Sequence, residues 1–203
     1  MRVALYCGDM PDSLRILIVD QNAKRSAVLE EGFREAGYGN VIVIREVHNL
    51  LRRIVDVDPD VIFIDLEDPN RDVLEQMFQV SRSVPRPIAM FVDQSDTATI
   101  EQAVDAGVAT YIVDGLRKER IKPILDTTIS RFNAFRKLRD ELDQAKQALE
   151  ERKLVDRAKG VLMAGGRMSE EAAYEWLRKS AMNENRRVAD VAQQVIVAAK
   201  RVT

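Results

Sequence analysis

The sequence predicts a two-part chain: an α/β part built on a five-stranded parallel sheet, then a long coiled-coil helix leading into an all-α three-helix bundle. Three observations predict this. Short continuous apolar runs alternate with helix-spaced segments from residue 14 to residue 113; no proline or glycine falls between Pro123 and Gly160; and helical spacing resumes from residue 153, broken at Gly165 and Gly166. Near-continuous apolar strands alternating with amphipathic helices are the pattern of a sheet covered on both faces.

Residues 1–13 carry a brief apolar run and then the turn-formers Gly8, Asp9, Pro11 and Asp12, which mark an N-terminal extension. Residues 14–19 form a first strand ending in Asp20, and 23–36 a helix that Gly37 and Gly39 stop. The unit repeats as strand 41–44 and helix 49–56, strand 61–64 and helix 72–83, strand 88–92 and helix 97–106, and strand 110–113. A doubly wound, flavodoxin-like domain over 14–117 fits this length and order.

Residues 118–152 form the connector, within a continuous helix expected over 124–162, far longer than an ordinary globular helix. Phe135, Leu138, Leu142, Ala145 and Leu149 recur in alternating steps of three and four, about two heptads of a narrow apolar seam. A homodimeric two-chain seam is the favoured reading; a single amphipathic helix folding back on its own domain is the alternative.

From residue 153 to the end, three helices are expected. Ser169 is placed to cap the second, with Glu170 and Glu171 in its first turn, where carboxylates favour the positive end of the helix dipole. Arg178 and Lys179 are expected to close its last turn, and a third helix to run over 188–202. Val161, Leu162, Tyr174, Trp176, Leu177, Val188, Val191, Ala192, Val195, Ile196 and Ala199 supply the candidate core, with Tyr174 and Trp176 assigned to packing ahead of base stacking. Gly160 is expected to permit close helix approach.

Composition narrows the function classes. The chain has 203 residues, 32% charged and 46% apolar, with room for a real core. Its start is too short in apolar residues for a secretory signal, no run reaches the roughly 20 residues of a membrane helix, and a cytoplasmic protein is expected. One cysteine, Cys7, and one histidine, His48, exclude an internal disulfide and a zinc-ligand set. No phosphate-binding glycine loop or nucleophile–base arrangement is present, so neither an enzyme nor a cofactor is expected. The net charge of −2 conceals an asymmetry: 20 Lys/Arg against 13 Asp/Glu from Arg117 onward, and 11 against 20 before it. A basic half fits a nucleic-acid partner or a solvated helical surface.

Ligands of doubly wound sheets gather beyond the carboxyl ends of the strands, where Asp20, Asp65 and Asp114 follow the first, third and fifth. With Asp65 ending Val61-Ile-Phe-Ile-Asp65, this half resembles the receiver domain of bacterial response regulators. The resemblance implies a phosphoryl-accepting aspartate at Asp65 and a magnesium ion held by neighbouring acids. Three positions depart from that pattern. Gln21 stands where a second acid is usual, Val92 where a hydroxyl is usual, and Asp114, followed by Gly115, where a lysine and then proline are usual. An acid in place of that lysine changes the local charge by two beside a nearly dianionic phosphate, so phosphorylation-driven switching is not expected. The three acids are expected to end their strands in solvent.

The C-terminal pattern is Asp156-Arg-Ala-Lys159-Gly160-Val-Leu-Met163, then Ser169-Glu-Glu-Ala-Ala-Tyr174, Leu177-Arg178-Lys179-Ser-Ala-Met182 and Val191-Ala192. It resembles the ANTAR domain, an RNA-binding module of bacterial transcription antiterminators, and Met90-Phe-Val-Asp-Gln-Ser-Asp96 is similar to the NasT type. The resemblance implies binding to paired hairpin loops in an mRNA leader, which prevents a terminator from forming, and control by a nitrate- or nitrite-sensing partner protein. It matches Lys159, Arg178 and Lys179 to RNA contact; Arg186 and Arg187, beside the third helix, join them, with Arg152, Lys153, Arg157 and Arg167 ranked second. A DNA-binding response regulator and a dimeric protein-interaction adaptor are the rival readings.

Overall fold

The computed structural model describes residues 14–46, 48–66, 71–113, 117–166 and 168–200; the N-terminal extension with Cys7, and Asp114 and Arg167, lie outside them. The chain divides into two compact units, Met1–Arg136 and Lys137–Thr203.

The first unit contains β1 (Ile16–Asp20), α1 (Ala23–Glu35), β2 (Val41–Ile44), α2 (Leu50–Val57), β3 (Val61–Leu66), α3 (Arg71–Ser83), β4 (Ile88–Val92), α4 (Thr97–Asp105), β5 (Thr110–Val113) and the opening turns of α5 (Ile121–Gly166). All strand pairs are parallel, in the order β2-β1-β3-β4-β5. This is the flavodoxin-like order expected from the sequence. Every residue of β1, β3 and β4 is buried, which explains why these strands read as continuous apolar runs with no polar alternation.

One face of the sheet packs Leu17, Val19, Ile62, Ile64 and Met90 against Leu50 and Ile54 of α2 and Met77 and Phe78 of α3. The other packs Ile16, Ile18, Phe63 and Phe91 against Leu29 and Phe33 of α1 and Ile121, Leu125 and Ile129 of α5. Phe33 meets Phe63 edge-on at 4.8 Å, a geometry that places positive ring edge against negative ring face. Gly32 lets α1 approach this closely: a Cβ there would collide with the Ile121 side chain. Lys118 ties the same join from outside, 2.6 Å from Glu31 and 3.4 Å from Glu35.

The long helix begins one turn earlier and ends one turn later than expected. Pro123 is its third residue, where the missing N–H has no intrahelical partner to lose. Gly165 and Gly166 are the last two residues of the helix, which ends at the glycine break that the sequence indicates. Gly160 serves no close approach, because a Cβ built there meets nothing within 4 Å.

The second unit packs α5 against α6 (Glu170–Asn183) and α7 (Val188–Lys200). Ser169 caps α6 by accepting from the Ala172 N–H at 3.2 Å, with Glu170 and Glu171 in the first turn as the sequence indicates. The helix then continues to Asn183, so Arg178 and Lys179 sit inside it and its last turn carries no basic residue. Asn185, with φ of 51°, turns the chain into α7, and the Arg186 N–H donates to the Ala181 carbonyl at 2.9 Å.

Thr128 joins β5 to α5 inside the first unit. Its fully buried hydroxyl lies 2.9 Å from the Thr110 hydroxyl and 2.7 Å from the Ile124 carbonyl oxygen. Thr128→Val keeps the shape and removes the partner of Thr110, so it is expected to destabilise the chain by about 1–3 kcal/mol, read as a lower urea midpoint at unchanged slope.

Candidate functional site

The carboxyl edge of the sheet holds the first site. Asp20 and Asp65 stand side by side in the β1–β3 register. They are 3% and 2% exposed, which corrects the expectation that these acids end in solvent. For Asp65 the physical reason is Arg25. Its Nε donates to Asp65 Oδ2 at 3.0 Å and its Nη2 to Asp65 Oδ1, a two-pronged pairing that occupies both carboxylate oxygens. Its Nη1 reaches Asp93 beyond β4, 3.3 and 3.4 Å from the two oxygens. A planar guanidinium is the side chain suited to bridging two carboxylates in this way.

Local sequence explains how Arg25 arrives there. Asn22 caps α1, accepting from the Lys24 and Arg25 N–H groups at 3.0 and 3.4 Å, while its own N–H donates to Asp20 Oδ1 at 2.8 Å. Arg25 therefore falls in the first turn of a helix that has no acid there. A cation at the positive end of a helix dipole is unfavourable by itself, and the acids of the sheet edge supply the compensation. Removing one partner of such a buried pair costs about 3–5 kcal/mol, because the other charge stays behind.

The remaining pocket positions are unlike those of a phosphoryl-transfer site. Gln21 is exposed. Val92 is buried at 2% in the β4 core and offers no hydroxyl. Magnesium takes oxygen ligands in an octahedron at about 2.0–2.1 Å; Arg25 donates to both oxygens of Asp65 and sets a fixed positive charge against them, so the residues present do not fit such an ion. Arg25 escaped sequence reasoning because residues 25, 65 and 93 meet only through the sheet.

The second site is on the helical unit. Its core is narrow: Ala158, Leu177, Ala181, Val191 and Ala192 are buried, flanked by Leu154, Val155, Leu162, Val188, Val195 and Ile196. The buried positions of α6 are Ala173, Leu177 and Ala181, four residues apart. Tyr174 and Trp176 fall to either flank of that row and are 48% and 42% exposed, which corrects their assignment to the core. Tyr174, Arg178 and Met182, also four apart, form an exposed row on α6.

The basic residues singled out by the sequence have unequal surroundings. The Lys159 ammonium lies 2.7 Å from both Asp156 and Glu170, with 16% of its side chain exposed, and ties α5 to the first turn of α6. Lys179 pairs with Glu175 at 3.6 Å, Arg186 with Glu184 at 3.2 Å, and Arg187 with Glu151 at 3.1 Å and Asp190 at 3.3 Å. Among the described residues, Arg178 alone of these five carries no ion pair, and it is exposed. His48 is exposed as well.

The third feature is the seam on α5. Every residue from 137 to 150 is exposed, and Phe135, Leu138, Leu142 and Leu149 are 62%, 61%, 53% and 53% exposed. Ala145 lies exposed between them. Only local pairs such as Lys153 with Glu150, at 2.7 Å, support this stretch.

The Lys159 clamp has a definite pH window. The hydrogen bond from Lys159 holds the Asp156 carboxyl below its ordinary value. Its stabilisation is therefore complete above that ordinary value and is lost as pH falls through the folded one. The hydrogen bonds to Asp156 and Glu170 hold the Lys159 ammonium above its ordinary value, so that contribution is complete below about pH 10 and lost at higher pH. The Asp156–Lys159 pair lies within α5, so this turn of α5 is expected to loosen as pH falls below the ordinary aspartate value of about 3.9. Amide exchange around Asp156 should accelerate there, and an Asp156→Asn variant should have lost part of this acid dependence.

Residues 16–126 match the response regulator receiver domain family, and residues 143–196 match the ANTAR domain. The transcriptional regulatory protein PdtaR of Mycobacterium tuberculosis is 29% identical over 182 residues, covering 90% of this chain and 89% of that protein. The nitrate regulatory protein of Klebsiella oxytoca is 39% identical over 88 residues, covering 43% of this chain and 22% of that one. Among solved structures, a putative pilus assembly-related protein of Burkholderia pseudomallei superposes with a TM-score of 0.54 at 20% identity, over 62% of this chain and 95% of that chain, and shares the fold of the first unit. The five-stranded sheet with its Asp65 edge and the capped α6 with its flanking helices are thus those of two known modules, and the chain belongs to the response regulator receiver family with an ANTAR domain that begins within its long helix.

Proposed function

We propose that this chain is an RNA-binding transcription antitermination regulator that acts as a homodimer on paired hairpin loops of an mRNA leader. The observation that carries the reading is the exposed α6 surface of the ANTAR module, where Arg178 lies without an acidic partner beside Tyr174. Loops of RNA present phosphates and unstacked bases, which suit a cation beside a planar ring. Arg186, Arg187 and Lys179 add positive charge, and Lys159 contributes chiefly by holding the helices that carry them. The NasT-like similarity supports a role in nitrate or nitrite assimilation, under a ligand-sensing partner protein and not phosphorylation. The protein works by binding, without chemistry of its own, in the cytoplasm.

A shift assay with a terminator-proximal leader carrying two hairpins tests this reading against duplex DNA of equal length. Preferential binding to the leader is expected. Arg178→Ala should weaken it by about tenfold or more and reduce the salt slope by about one. Tighter binding to the duplex would favour the DNA-binding alternative, and no binding to either would favour a protein-interaction adaptor.

The exposed row of Phe135, Leu138, Leu142, Ala145 and Leu149 supports the dimer, because two copies in register bury it along a single seam. Light scattering at micromolar concentration is expected to give twice the mass of one chain. A double Leu142→Glu, Leu149→Glu substitution should return it to the monomer mass, whereas a monomeric parent protein rejects the seam.

A further inference from the structure

We infer that Arg25 is the resident cation of the receiver pocket, pairing with Asp65 where a divalent metal would otherwise be held, so that the domain keeps one state without Mg²⁺. This deepens the phosphorylation-independent control proposed above and rests on it.

The geometry assigns Arg25 three tasks that a metal would otherwise perform. Its guanidinium donates to both oxygens of Asp65, one of them through Nε at 3.0 Å, and so sets a positive charge where an incoming cation would be repelled. It extends to Asp93 at 3.3 Å and joins the edges of β3 and β4 to the start of α1. It also answers the charge of Asp65 inside the structure, since the Asp65 side chain is fully buried and that of Arg25 only 22% exposed.

The other substitutions in the pocket agree with a monovalent cation. Gln21 replaces one acid of the usual set, which lowers the positive charge needed. Val92 supplies no oxygen to a transferring phosphoryl group. Arg25 itself sits in a first turn without acids, where the helix dipole opposes it, so its position is maintained by Asp65 and Asp93 together.

Thermal melts of the full chain in EDTA and in millimolar MgCl₂ test the inference, alongside intact mass after incubation with acetyl phosphate and Mg²⁺. The parent protein is expected to melt at the same temperature in both buffers and to keep its mass. Arg25→Ala should melt lower by about 5 °C or more in EDTA and recover part of that loss with Mg²⁺. Mg²⁺ stabilisation or stoichiometric phosphorylation of the parent protein overturns the inference, as does an Arg25→Ala protein indifferent to Mg²⁺. Should Arg25→Ala fail to fold, Asp65→Asn decides. It lowers the melting temperature if Arg25 balances the pocket, and raises it if uncompensated acids repel one another there. None of these readouts involves RNA, so failure of the RNA-binding reading is separately visible.

Discussion

A parallel sheet joined by crossover helices must be covered on both faces, and this constraint governs the first unit of the chain. Ile16 and Ile18 point to one side of β1 and Leu17 and Val19 to the other, and both pairs are buried. Two layers of helix are therefore required, and the layer containing α1 is completed by the opening turns of α5, through Ile121, Leu125 and Ile129. The beginning of the long helix is thus part of the sheet's core and not a detachable linker. Gly32 and the Lys118 pairs with Glu31 and Glu35 are local adaptations to the same requirement.

The same architecture gathers the carboxyl ends of all five strands along one edge. Acids placed there lie close together and partly out of water, so their charge has to be answered. In this chain the answer is a side chain of the neighbouring helix. The consequence is a receiver fold whose Asp65 carboxylate, at the edge of the sheet, is already paired.

The helical unit follows a different economy of space. Its buried α6 positions are two alanines and one leucine, so the helices lie close and the large side chains Tyr174 and Trp176 are left on the flanks. A small core with large exposed rings suits a module that presents side chains to a nucleic acid. Its basic residues divide between those that hold helices together, Lys159 above all, and those that face solvent, such as Arg178.

Strand and helix order were legible in the sequence because the relevant signals are local. Apolar runs of β1, β3 and β4 report burial on two faces, Ser169 with Glu170 and Glu171 reports a helix start, and the steps from Phe135 to Leu149 report an apolar row. The motif around Lys159 and Arg178 pointed to the ANTAR domain for the same reason. Contacts between distant residues leave no periodicity to read. Whether Asp65 is open or paired depends on Arg25, forty positions away. Whether Tyr174 and Trp176 are core or surface depends on how closely alanine-lined helices approach, and the sequence alone assigned them to the wrong side. Local chemistry determined the elements and the family; the packing of those elements decided which charges are answered and which rings remain exposed.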